Sequence, residues 1–420
     1  MTNKTHQDLL QKYAEAVVRV GLNLRAGQRL IITLAATRGV PHQFAPFVRE
    51  VAKAAYAVGA VYVDVIWGDE EMLRLRAQHA PRDSFGEYST WQVDAVMRMI
   101  ENGDALLSIT GANPDLLGGL DPETLGMMQK THLQHFNRIS EKVTTNAINW
   151  CVVAAAGAEW AIKVFPHLSA PEAQEKLWQA IFETSRIDRP DPIAAWQAHI
   201  VGLRARAQYL QTKQYTALHY AAPGTDLTLG LPKRHLWISA QSTAQNGVAF
   251  TANMPTEEVF TLPDRSRADG VVSATFPLSY GGTLIEDFQL TFENGRVVKV
   301  NAKKGESALQ RLVDTDEGSH RLGEVALVPA SSPIAQRGHL FYNTLFDENA
   351  SCHIAIGRAY RFTLTGGEEL TDDEFTSAGG NVSLNHVDFM IGSPKMDIDG
   401  ITADGLREPV MRQGEWAFQV

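Results

Sequence analysis

The chain has 420 residues, 44% of them hydrophobic and 20% charged, and a formal net charge of -10. That length exceeds what a single hydrophobic core usually serves, so two domains are expected. The acidic balance speaks against nucleic-acid binding, which needs a dense basic surface, and favours a small molecule or a second copy of the chain as partner.

Only two cysteines occur, Cys151 and Cys352, in unrelated contexts. They suggest a reducing compartment, with neither a disulfide framework nor a thiolate metal site. The first residues run into an amphipathic pattern rather than the apolar block of a signal peptide. No segment reaches the roughly 18 uninterrupted apolar residues of a membrane span. A cytoplasmic protein without a membrane partner is therefore expected.

In chain order, Leu9, Leu10, Tyr13, Val17, Val18 and Leu22 recur at helical spacing, and Leu30 to Leu34 reads as a strand. A helix from about Gln43 to Val58, a strand over Val61 to Ile66, and helical patterns over Glu70 to Ala80 and Gly86 to Met99 follow. Next come a strand over Ala105 to Ile109, a long helix from Pro122 to Val143, and a strand over Trp150 to Ala154. Strands alternating with helices in this way predict a doubly wound, mostly parallel sheet. The turn after the first strand, Ala35-Ala36-Thr37-Arg38-Gly39, lacks the glycine pattern of a phosphate loop, which disfavours a nucleotide site.

Helices are predicted over Pro171 to Thr184 and Ile193 to Gln214, after which the character changes to short strands and turns. These include Ala217 to Tyr220, Leu227 to Leu229, Leu236 to Ile238 and a β-rich run from Gly270 to Lys303. Within that run Asn294-Gly295 marks a hairpin between Leu290-Thr291-Phe292 and Val297 to Val300. The expected organisation is an N-terminal α/β domain over 1–214 and a C-terminal β-rich α+β catalytic domain over 215–420.

The chemistry-bearing residues concentrate in the second half. Asn381 to Met390 alternates polar and apolar residues, so His386 and Asp388 project from one face of a strand and aim at a common point. Glu257 and Glu258 follow Pro255 and, on a strand, would face opposite ways, leaving at most one for a given site. Glu324 opens an apolar strand. In Leu345 to Tyr360, one of Asp347, Asn349 and Ser351 would cap a short helix, and the seven-residue spacing of His353 and Tyr360 would place both on one helical face. Cys352 beside His353 is discounted as a nucleophile, because adjacency in sequence does not supply a base within reach. Carboxylates and imidazoles together suit zinc, manganese, cobalt or magnesium.

Five segments in order carry a resemblance: Asn253 to Phe260 (NMPTEEVF), Asp314 to Gly318 (DTDEG), Gly323 to Ala330 (GEVALVPA), Leu345 to Tyr360 (LFDENASCHIAIGRAY) and Gly379 to Ile391 (GGNVSLNHVDFMI). Together they resemble the aminopeptidase T family of metal-dependent leucyl aminopeptidases, also called thermophilic metallo-aminopeptidases. The resemblance implies that Glu258, Glu324, His353, His386 and Asp388 ligate two divalent ions per chain, with Tyr360 at the site. It further implies a homodimer that hydrolyses the N-terminal bond of peptides with a free N-terminus through a metal-activated water, in an enclosed cavity. Cys352 and Arg358 depart from the family pattern at positions that are not themselves proposed ligands. A general base is also required, and Glu257 and Glu348 are the two candidates. Two alternatives stand beside this reading: a two-metal hydrolase of another small amide or dipeptide, and a non-enzymatic small-ligand-binding protein.

Overall fold

The protein is described by a computed structural model over residues 3–34 and 39–420. The segment 35–38, in the turn that lacks a phosphate-loop pattern, lies outside the described residues. The fold is mixed α/β and divides into two compact units. The first takes 1–200, 241–256 and 341–345, and the second takes 201–240, 257–340 and 346–420. The change of pattern expected near Gln214 coincides with the end of the helix Pro192–Lys213. The division by contacts falls inside that helix, and two short later segments return to the first unit.

The first unit is built on a five-stranded parallel sheet in the order Asn253–Met254, Trp150–Ala154, Ala105–Thr110, Arg29–Thr33, Tyr62–Val65. Its central strands are buried almost throughout, as expected of parallel strands covered on both faces. Helices Trp91–Glu101 and Pro122–Thr144 pack against it through Val93, Val96, Met97, Ile100 and Ile139, together with Ile31 and Leu106. The helix Ala170–Thr184 starts at a capping box in which Ser169 and Glu172 satisfy one another's backbone donors. Two expectations are corrected in detail: a helix not expected from the pattern forms at Ala158–Val164, and Leu236 to Ile238 makes only an isolated bridge from Ile238 to Phe260.

The second unit contains a nine-stranded antiparallel sheet and a four-stranded antiparallel sheet. In the larger one, Thr283–Glu293 and Arg296–Lys304 form the expected hairpin, with Asn294 and Gly295 at φ 50° and 79°. Those two positive angles are what a two-residue turn between twisted strands requires. The smaller sheet runs Val259–Thr261, Leu322–Leu327, His353–Gly357, His386–Met390. Among the described residues, no helix is long and apolar enough to cross a membrane.

Candidate metal centre

The four-stranded sheet collects its polar residues by register. Glu324 pairs with Ala355, and Ala355 pairs in turn with Asp388, while His353 pairs with Ala326 and His386 with Gly357. Paired residues share a face, as do residues two apart on one strand, so Glu324, His353, His386 and Asp388 all project on the same side. Glu258 precedes the strand Val259–Thr261 and lies two residues before Phe260, which pairs with Ala326. The small Ala355 separates Glu324 from Asp388, and Gly357 offers no side chain opposite His386. Neither position therefore places a bulky side chain among the four polar residues.

The result is two triads that share one carboxylate. Glu258, Glu324 and His353 form the first, and Glu324, His386 and Asp388 the second, with the ligand atoms of each within 4.8 Å of one another. One oxygen of Glu324 stands 3.5 Å from His353 Nε2, and the other stands 3.6 Å from His386 Nε2. Glu258 approaches His353 Nε2 at 3.1 Å, and Asp388 approaches His386 Nε2 at 3.5 Å.

Both imidazoles are oriented from behind. His353 Nδ1 donates to the Ser351 carbonyl at 3.1 Å, and His386 Nδ1 donates to the Arg358 carbonyl at 2.7 Å. A carbonyl only accepts, so Nδ1 carries a proton, and in the neutral ring Nε2 is the nitrogen that can present a lone pair to the cluster. This is the arrangement in which histidine serves as a metal ligand held by an outer hydrogen bond.

The electrostatics make the same demand. Glu258, Glu324 and Asp388 are 6%, 5% and 8% exposed and His353 1%, so three carboxylates are taken from water within one cluster. Glu258 Oε2 and Asp388 Oδ1 are buried without a well-oriented hydrogen bond. Buried carboxylate oxygens without donors are costly, and neutralisation has to come from protons or from a cation. Protons alone leave their mark on the pKa values: burial, with Asp388 and Glu258 nearby, pushes Glu324 up to about 7. Burial works against the imidazolium of His353, but Glu258 and Glu324 outweigh it and push the group well up. His386 is raised in the same sense by Asp388 and Glu324 against its own burial. The donor set of oxygen and imidazole nitrogen fits divalent ions, and the residues present therefore suit the group the sequence implies.

The helical reading of Leu345 to Tyr360 is corrected. Helical turns occur at Thr344–Asp347 and Glu348–Ala350, but His353–Gly357 is a strand, so His353 and Tyr360 do not share a helical face. Tyr360 nevertheless reaches the cluster, with its ring 4.7 Å from that of His386. Burial and the carboxylates Glu324, Asp388, Glu348 and Glu258 push its phenol well above the usual range. Glu257 and Glu258 precede the strand rather than alternating within it. The backbone N–H of Glu257 donates to Asn349 Oδ1 at 2.7 Å, and Asn349 Nδ2 donates to Glu348 at 3.4 Å. Glu348 is pushed well above the carboxylate range by burial, Asp388 and Glu258. Asn349 is wholly buried and links both candidate bases, a role that nothing in the sequence pattern marked. Cys352 is a buried free thiol, pushed up to about 11 by burial, which removes it as a nucleophile.

Residues 6–416 match the family model described as thermophilic metalloprotease (M29). The chain belongs to this family. As an M29 metalloprotease it is a metal-dependent hydrolase, and among its relatives is aminopeptidase AmpS of Bacillus subtilis. That protein is 48% identical over 409 residues, covering 97% of this chain and 98% of the relative. Aminopeptidase T of Thermus thermophilus is 46% identical over 407 residues, with 97% and 98% covered. The solved structure of wild-type AmpT from Thermus thermophilus superimposes on the M29 chain with a TM-score of 0.90 at 45% identity, covering 98% of this chain and 99% of that one. A 2,5-dihydroxypyridine dioxygenase from Pseudomonas putida, 12% identical with a TM-score of 0.51, shares the fold alone.

Proposed function

We propose that this M29 metalloprotease is an aminopeptidase that hydrolyses the N-terminal bond of peptides through a two-metal centre. The observation that carries the reading is the pair of triads sharing Glu324, whose two oxygens face two different imidazoles. Glu258, Glu324 and His353 would hold one divalent ion, and Glu324, His386 and Asp388 the other. The relatives named as aminopeptidases support the exopeptidase activity. The same reading takes the enzyme as a cytoplasmic homodimer, with zinc, cobalt, manganese or magnesium as the ion.

Bound divalent ions supply Lewis acidity, which lowers the pKa of water and polarises a carbonyl. The remaining steps fall to side chains. Tyr360 keeps its proton, because burial and four nearby carboxylates disfavour phenolate, and so can donate a hydrogen bond to the oxygen that gains charge during attack. Glu348 belongs to the same electrostatic cluster but to neither triad, and once bound cations offset the charges of Asp388 and Glu258 that hold its proton on, it would be free to take a proton from water and return it to the leaving amine. Glu257, the other candidate, is tied through its backbone to Asn349 and acts in this reading by fixing the segment that carries Glu258.

The test is a paired assay on leucyl-p-nitroanilide and its N-acetylated form, with metal-stripped and metal-reconstituted protein. Hydrolysis of the free form only, and only with metal, is the expected result. Cleavage of the blocked compound at a similar rate would move the assignment to a general amidase.

A further inference from the structure

The segment Asp314 to Gly318 supplies no ligand, yet Asp316 sits at the junction of two ligand-bearing strands. One of its oxygens accepts from Ser319 N at 2.7 Å, Ser319 Oγ at 2.9 Å and Ser383 Oγ at 2.8 Å, and the other accepts from Leu384 N at 2.6 Å. One carboxylate thereby joins the turn before the strand of Glu324 to the turn before the strand of His386 and Asp388. The two turns are packed so closely that a Cβ on Gly318 would lie 1.9 Å from the Val382 carbonyl oxygen.

The network continues to the imidazole itself. Arg358 Nε donates to the Ser383 carbonyl at 2.8 Å, Arg358 N donates to the Asn385 carbonyl at 2.6 Å, and the Arg358 carbonyl receives His386 Nδ1. A carboxylate that is acceptor-only matches four donors, whereas an amide in its place would turn its own N–H groups toward some of them. His353, by contrast, is oriented from Ser351 on a different segment.

We infer that Asp316 is a positioning residue that sets the Glu324, His386 and Asp388 half of the centre by clamping the two turns from which those ligands depart. The inference rests on the two-ion reading given above. It places the larger effect on the half that takes all three of its ligands from the clamped turns, since Glu324 alone is shared with the other half: outer hydrogen-bond partners of metal ligands typically govern about 10- to 100-fold in metal affinity.

The experiment titrates metal-stripped, full-length wild type and Asp316→Asn with Co²⁺, followed by calorimetry and visible absorption. Wild type takes up two ions. Asp316→Asn binds the ion of the Glu324, His386 and Asp388 triad about 10- to 100-fold more weakly and the other ion, which shares only Glu324 with it, to a clearly smaller extent, with a lowered kcat that added Co²⁺ restores. Ser383→Ala, which removes one donor and leaves the carboxylate, weakens the same ion to a smaller extent. Unchanged affinity for both ions in Asp316→Asn, or equal weakening of both, overturns the inference. Should Asp316→Asn fail to fold by circular dichroism, Ser383→Ala decides in the same way. Fewer than two ions in wild type overturns the two-ion reading instead.

Discussion

Glu324→Gln removes the one side chain common to both triads, and so separates a shared carboxylate from two independent sites. The triad ligand atoms lie within 4.8 Å of one another. A cation held by either triad is thus about 4 Å or less from this charge, where a unit pair at an effective dielectric near 20 is worth about 4 kcal/mol and a dication more. Relaxation and solvent reduce that figure, so a loss of roughly 3–4 kcal/mol per ion is expected, or about 10²- to 10³-fold in affinity. Glutamine also has a single carbonyl oxygen and cannot serve two ions as a carboxylate does. Calorimetric titration with Zn²⁺ should show both ions weakened in Glu324→Gln. Asp388→Asn should weaken mainly one ion, and Glu258→Gln mainly the other. If Glu324→Gln weakened one ion only, or neither, the bridging arrangement would be wrong.

Further predictions concern the surroundings of the centre. Ala355→Leu should place a bulky side chain between Glu324 and Asp388 and abolish metal uptake, read by metal content after dialysis, with no ligand residue substituted. Asn349→Ala leaves the buried Glu257 N–H without its acceptor and should cost about 1–3 kcal/mol in denaturant unfolding. Cys352→Ala should keep hydrolysis within about threefold of wild type, since its thiol is buried and protonated. The pH dependence follows from groups whose folded pKa values are raised. The metal-free folded protein binds protons at Glu324, His353 and His386 that the unfolded chain releases at lower pH, so its stability should fall as pH rises from about 4.5 through about 7 for Glu324 and from about 6.5 upward for the two histidines. Metal uptake displaces those protons, so ion affinity should rise over the same range. Melting curves with and without Zn²⁺ between pH 5 and 8 check both signs.

Much of this arrangement was legible in the sequence because strand chemistry has a fixed period. Alternation places His386 and Asp388 on one strand face, since two-residue spacing fixes the face without knowledge of the neighbours, but Glu324 at the start of an apolar run decides nothing alone, and the ligand set as a whole comes from the family resemblance. The parallel sheet was equally readable from strands and helices in alternation. His353 was not readable in the same way. Its segment His353-Ile354-Ala355-Ile356-Gly357 is a short apolar run that follows true helical turns, and periodicity over so few residues does not separate strand from helix. The contributions of Ala355, Asn349 and Asp316 arise only when register and turns bring distant segments together, as with Asp316 and Leu384, 68 positions apart.

The central claim is that two ions held through a shared Glu324 are required for removal of an N-terminal residue. It is tested most directly by stepwise addition of Co²⁺ to metal-stripped wild-type protein while leucyl-p-nitroanilide hydrolysis is followed. The account predicts no activity in the stripped protein and activity that rises until two ions per chain are bound. Full activity in the stripped protein, or saturation at a single ion, would contradict it.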